Sequence, residues 1–362
     1  MRTSASANLG TTGGHKLLAA SAMMIMAAGA MNGAAGAMTI TPHFESSITS
    51  SASYNTIAAD INSALTFYNQ NILNNINVSI DFAVTSTTSS ASYLGQSNST
   101  NYTPSYSTYT SDLQTNAINN SNAIELTAYN NLQYGNDSNG AQSIDATAPD
   151  MRALTYTIAG SPLYNGAYNT SGNFVGSSSG TVDGVITLNA ADLSGFGGGG
   201  TFSPGRVIQH EVDEILGIGG AGSTLTSSTT SATAYGPMDF FRYSAFHTPS
   251  YTNSSTATSY FSIDGGTVNL VNFNQNPGTN GQTGGDFGDW SSEGTTGNYV
   301  QLAFTSSSQG AAGVSATSPE GIALQAVGYD MAVPEPSTLA LCGGLLIGLG
   351  LMRRRAAGNL SK

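Results

Sequence analysis

Apolar side chains recur along this chain at two periods, and the two periods predict its elements. Ile57, Ile61, Leu65 and Tyr68 follow one another at spacings of four, four and three, which predicts an amphipathic helix over Tyr54–Asn75. Immediately afterwards Val78, Ile80, Phe82 and Val84 alternate with mostly small or polar residues, the signature of a half-buried strand over 77–84. A stretch rich in Ser, Thr, Asn and Tyr from Thr85 to Thr108 carries no such period and reads as loop. Helices are predicted over Ser111–Asn119 and Ala123–Leu132, and strands over Ala153–Ile158 and Gly184–Leu188. The glycine run from Gly195 to Gly200 separates these from a strongly patterned helix that begins at Ser203-Pro204 and stops at Gly217. Two further strands, Ser259–Ile263 and Val268–Val271, precede a last helix from Pro319 that ends at Gly328. Met38 to Pro42 reads as the first strand. The mixed order of helices and strands, without a repeat of fixed period, predicts one α+β domain over 38–332, with a central helix, a mixed sheet and long polar loops.

Both ends of the chain differ from this domain. Arg2 and Lys16 precede an apolar, small-residue stretch from Leu17 to Ala30; Ala28-Gly29-Ala30 and Ala35-Gly36-Ala37 both offer small-x-small cleavage sites, and cutting after Ala37 leaves Met38 to open the first strand. Residues 1–37 therefore read as a signal peptide. At the other end Val333-Pro334-Glu335-Pro336 leads into an apolar run from Leu339 to Met352, then Arg353-Arg354-Arg355. That run is shorter than the ~20 residues of a relaxed spanning helix, and the basic cluster after it would stay on the cytoplasmic side. This three-part tail, 333–362, resembles the PEP-CTERM sorting signal of Gram-negative bacteria. The resemblance implies transient anchoring in the inner membrane, processing by an exosortase-type enzyme, and release to the cell surface or the extracellular space.

Without its ends the chain is unusually poor in cations. From about Met38 to Glu335 the only basic side chains besides histidine are Arg152, Arg206 and Arg242, whereas the full chain already carries a net charge of −12. Nucleic acid is excluded as a partner, because phosphate binding needs clustered Lys and Arg. The single cysteine, Cys342, lies in the tail, so disulfides cannot stabilise the domain. Frequent Tyr and Phe argue for a folded chain with hydroxyl- and amide-rich loops rather than for disorder.

The chemistry concentrates on the helix that starts at Pro204. His210 and Glu214 stand four residues apart and so share a face, with Asp213 beside them and Ile208, Val212 and Ile215 forming a core stripe. Imidazole and carboxylate one turn apart can hold one Zn²⁺. Glu211, next to the first ligand, is then placed as a general base. The segment resembles the zincin metalloprotease helix His-Glu-x-x-His, with Glu214 at the second histidine position. His210, Glu211 and Gly217 match the zincin pattern by position. The third ligand position of the metzincin branch falls on Gly220, which has no side chain to offer, and Met238 lies where a Met-turn would. Asp239 is the expected third ligand, with capping or pairing with Arg242 as its alternative use. His247 is a further candidate, read mainly as a surface histidine. Asp286 and Asp289, in a glycine-rich loop, suggest either a Ca²⁺ site or a solvated turn, and Trp290 is expected in the core.

Four other segments carry a wider resemblance: Met238 to Ala245, Phe261 to Gly266, Gly285 to Trp290 and Leu324 to Tyr329. They look like a family of exported bacterial proteins that bear this tail and are classed as metalloproteases, and the likeness spans about Thr39 to Tyr329. It implies a zincin-like fold, zinc and a polypeptide substrate. The competing expectation is a non-catalytic surface or matrix protein that keeps the fold and meets extracellular polysaccharide.

Overall fold

The computed structural model describes residues 38–332 apart from segments 136–142, 155–166, 169–173, 177–181, 221–224, 226–233, 276–285, 293–296 and 308–312. The signal peptide and sorting tail expected at 1–37 and 333–362 lie outside the described residues. Among those described, no helix is long and apolar enough to cross a membrane.

The architecture is mixed α+β. Its main sheet contains β1 (Thr39–Phe44), β2 (Asn77–Val84), β3 (Gly95–Ser99) and β4 (Gly184–Leu188), in the order β1-β2-β4-β3. The first three of these neighbours run parallel, and β3 closes one edge antiparallel to β4. Strands β2 and β4 match their predicted spans, because both carry β-branched residues, and β2 also Phe82, that the sheet buries on at least one face. Strand β3 arises in the stretch read as loop. Its sequence, Gly-Gln-Ser-Asn-Ser, has no apolar residue, and it is held as a strand by the ladder to β4.

The helices are α1 (Ser46–Thr49), α2 (Tyr54–Asn71), α3 (Tyr106–Asn120), α4 (Ala123–Gly135), α5 (Ala148–Ala153), α6 (Pro204–Ile215) and α7 (Pro319–Ala326). Helix α2 buries Ile57, Ile61, Leu65 and Tyr68, the stripe that the spacing predicts. The strand expected at Ala153–Ile158 begins instead in the last residue of α5, whose N-cap Thr147 accepts the Asp150 N–H; the remainder of that span from Thr155 lies outside the described residues. A second sheet, entirely antiparallel, joins β5 (Arg242–Ala245), β6 (Thr248–Pro249), β7 (Tyr260–Phe261) and β8 (Val271–Asn272) in the order β6-β5-β7-β8. The strand expected at Val268–Val271 is displaced to β8, and Val268 is exposed.

One apolar core runs through these elements, from Ile40 and Phe82 in the main sheet through Ile208, Val212 and Ile215 of α6 to Trp290 and Leu324. Trp290 is fully buried and stacks on Phe261 with ring centroids 5.6 Å apart. Helix α6 packs between α2 on one side and strands β3 and β4 on the other. That position places its polar face along the sheet edge.

Candidate metal centre

Helix α6 has its ends set by the sequence. Pro204 occupies the first turn, where its missing N–H costs nothing. Ser203 stands at the N-cap but its side chain makes no cap hydrogen bond, contrary to the capping role its position suggests. At the other end Gly217 adopts φ +100°, the Ile218 N–H donates to the Asp213 carbonyl (3.0 Å), and the Gly217 N–H donates to Glu214 (3.1 Å). This left-handed stop favours glycine, and a side chain there would also crowd Thr147 and Asp150 of α5.

His210 and Glu214 share one face, with Nε2 and Oε1 3.5 Å apart. The third member of the group is Asp289, whose Oδ2 lies 3.6 Å from His210 Nε2. These three offer ligand atoms that all lie within 4.8 Å of one another. Four ligands about 2.1 Å from a tetrahedral ion leave edges of about 3.4 Å between them, so the two measured separations have the span of ligand pairs around one cation.

The outer atom of each ligand is held elsewhere. His210 Nδ1 meets the Val300 carbonyl at 3.2 Å, an acceptor only, so the proton sits on Nδ1 and Nε2 faces the group. Glu214 Oε2 accepts the Ser97 hydroxyl of β3 at 2.5 Å. Asp289 Oδ1 accepts the Gln301 carboxamide at 2.9 Å. The same Gln301 Nε2 lies 3.3 Å from His210 Nε2.

Electrostatics also fit a cation. Burial alone pulls the His210 imidazole down, but the carboxylates of Asp289, Glu214 and Glu211 outweigh it and hold the ring well above 6.5. Burial and the neighbouring Glu214 push the Glu211 carboxyl far up. Burial likewise raises Asp289, against the pull of His210, and Asp286 is raised to about 6 by burial and Glu214. Crowded carboxylates of this kind are stabilised when positive charge enters. The donor set of one imidazole and two carboxylates suits a divalent cation such as zinc.

Asp289, not the expected Asp239, stands in the group that could hold a metal, and Gly220 explains how. The turn after α6 carries Gly219 and Gly220, and the loop from Asp286 to Asp289 closes directly onto it. A Cβ at Gly220 would stand 2.6 Å from Asp286 Oδ2, and one at Gly288 would collide with the Gly219 carbonyl. The glycine that cannot ligate therefore leaves room for a loop that can. Arg242, fully buried, secures that loop by donating to the Phe287 carbonyl (2.5 Å) while its guanidinium lies 4.1 Å over the Phe273 ring. Asn274 donates to the Asp286 carbonyl through its side chain and to the Asp289 carbonyl through its N–H.

Asp239 does not join the group. Its Oδ2 accepts the Gly236 N–H at 2.9 Å at the start of the 3-10 turn Pro237–Phe241, and its charge supports Arg242. This is the capping and pairing use that the sequence offered as its alternative. Met238 is buried in the same turn and does not line the cleft. His247 stacks on Phe246 near β6, outside the group. Asp213 turns away from the ligand face and accepts the Tyr68 hydroxyl of α2 at 2.7 Å.

Glu211 is 5% exposed and lines the cleft beside the group. Gly95 of β3 makes room for it, since a Cβ there would lie 2.5 Å from Glu211 Oε1 and 2.7 Å from Val207 Cγ1. Glu211 and the three ligand residues line a cleft of about 710 Å³ that runs beside β3 and includes Leu94, Phe202 and Leu302. A scan against models of known protein families, a search of curated proteins and a search of solved structures each return no match to this chain.

Proposed function

We propose that this chain is an exported, zincin-like, metal-dependent peptide hydrolase. The observation that carries this reading is Glu211. This largely buried carboxyl lines the cleft beside three converging candidate ligand atoms and faces a glycine whose Cβ would meet it. A surface scaffold has no use for such a group, whereas a hydrolase needs a base there.

His210, Glu214 and Asp289 would hold the cation, with zinc the ion that the helix motif suggests. Such an ion supplies Lewis acidity, lowering the pKa of water and polarising a carbonyl. Glu211 takes a proton from the attacking water and returns it to the leaving amine. Ser97, Val300 and Gln301 hold the ligands and exclude other orientations.

The cleft wall supports a polypeptide substrate. Strand β3 forms the edge of the main sheet and contributes Gly95 and Ser97 to the cleft. An extended polypeptide can add to such an edge through main-chain hydrogen bonds. The terminal segments support export, with exosortase-type processing of the tail, and the acidic, hydroxyl-rich exterior is compatible with contact to extracellular polysaccharide.

The test is hydrolysis of an unfolded, casein-like substrate by the parent and by Glu211→Gln. The amide cannot take the proton, so activity should fall by roughly 10²–10⁴-fold while zinc binding persists. Equal activity in both proteins would refute the role of Glu211.

A further inference from the structure

Glu320 lies on α7, remote in sequence from every residue of the metal centre, and it is 1% exposed. One of its carboxyl oxygens accepts three hydrogen bonds: from Trp290 Nε1 (3.2 Å), the Val300 N–H (2.8 Å) and the Gln301 N–H (3.1 Å). Its other oxygen is buried and meets no donor. Concentrating the donors on Oε1 fixes three backbone or ring groups around a single point.

Each of those groups leads to a ligand. Val300 carries the carbonyl that meets His210 Nδ1. Gln301 carries the carboxamide that donates to Asp289 Oδ1. Trp290 follows Asp289 directly, and its N–H donates to the Gln301 carbonyl at 2.7 Å, closing the circuit. Gly219 completes the arrangement, because a side chain there would occupy the place of the Gln301 carboxamide.

We propose that Glu320 is a positioning residue of the metal centre, acting through Val300 on His210 and through Gln301 and Trp290 on Asp289. It makes no contact with the ligand atoms themselves. Its single oxygen fixes the register between the 300–301 segment and the Asp289–Trp290 segment, so that an imidazole from α6 and a carboxylate from a loop point at one place. The proposal rests on the reading that His210 and Asp289 hold a cation. Residues that orient ligands from behind typically account for 10–100-fold in metal affinity.

The experiment compares Glu320→Ala, Glu320→Gln and Glu320→Asp in the purified chain, with two readouts. One is the affinity for Zn²⁺ alone by calorimetry. The other is the hydrogen-bonded His210 Nδ1–H proton by NMR, assigned by its loss in His210→Ala. Glutamine keeps an oxygen at the Oε1 place and sets its amine where no donor points, so it should retain the proton resonance and bind Zn²⁺ within about threefold of the parent. Alanine should lose the resonance and weaken Zn²⁺ by about 10-fold or more. Aspartate is one methylene too short to reach all three donors and should behave like alanine; it decides the question if alanine does not fold. A folded alanine or aspartate variant with the parent's resonance and the parent's affinity would overturn the proposal. If the parent itself binds no Zn²⁺, the functional reading fails, and the Nδ1–H readout still decides the role of Glu320.

Discussion

His210 Nε2 and Asp289 Oδ2 stand 3.6 Å apart, the first from helix α6 and the second from a loop that reaches it across a glycine turn. Their meeting depends on what is missing at Gly219, Gly220 and Gly288 as much as on what is present. The residue three positions past Gly217 offers no ligand. The space it vacates admits a carboxylate from a later part of the chain. Replacement of one imidazole by Glu214 and another by Asp289 makes the centre richer in negative charge than an all-histidine site. A cation held there would carry a smaller effective charge, so under the proposed function hydrolysis is expected to be slow.

Gly95 tests how tightly the base is housed. In Gly95→Ala the new Cβ would lie 2.5 Å from Glu211 Oε1 and 2.7 Å from Val207 Cγ1, closer than atoms can sit. Overpacking of this kind costs about 1–3 kcal/mol, to be read by denaturant unfolding. Hydrolysis should fall further than stability alone explains, because Glu211 must move, while Zn²⁺ affinity stays near that of the parent. An unchanged unfolding midpoint would show that β3 and α6 are not in such close contact.

Asp239 separates stability from binding. Asp239→Ala leaves the Gly236 N–H without its acceptor and Arg242 without a supporting charge, inside the protein. An unsatisfied buried group costs roughly 1–3 kcal/mol, so the unfolding free energy should fall by at least that much. Zn²⁺ affinity at the centre should be unchanged in calorimetry. Loss of binding with stability intact would return Asp239 to the ligand set.

A pH effect is expected from Glu125, away from the metal centre. Its carboxyl accepts both hydrogen bonds from Asn116 and is raised to about 8 by burial, against the pull of Asn116 and with a further push from Asp330. The folded chain therefore holds a proton there that the unfolded chain releases near 4.5. Folding binds a proton between these values, so this group makes stability fall as pH rises from about 4.5 to about 8, by at most about 1.4 kcal/mol per pH unit. Glu125→Gln removes this slope. Urea unfolding should show parent and variant close at pH 4.5 and the variant gaining on the parent at pH 8; parallel curves would contradict the assignment.

Much of this fold was legible because local and global signals agreed. The caps and period of α6 marked His210, Glu211 and Glu214 together, and β2 and β4 were marked by apolar alternation and by a β-branched run. Strand β3 was not legible: Gly95 to Ser99 has no side-chain pattern, and its extended form comes from pairing with β4. Helix α5 was hidden for a related reason, since the apolar residues at its end resemble the start of a strand. Asp289 looked like a solvated turn because its neighbours are Gly, Asp and Phe. It is buried by tertiary contacts, Gly288 against Gly219 and Asp289 against His210 and Gln301, that no local spacing encodes. Gln301 and Glu320 left no signal at all, because their roles are set by the backbone groups they touch.

His210, Glu214 and Asp289 converge on one place and are proposed to hold one divalent cation there. Titration of Zn²⁺ into the purified, metal-stripped chain by calorimetry tests it most directly, alongside His210→Ala and Asp289→Ala. One ion per chain is expected in the parent, with binding weakened by more than about 100-fold in either variant, since these residues would contact the ion rather than merely support those that do. Native stability should rise with zinc by about 2.7 kcal/mol at roughly 100-fold excess over Kd, and only in the parent. Parent-like binding in Asp289→Ala, or no binding in the folded parent, would contradict it.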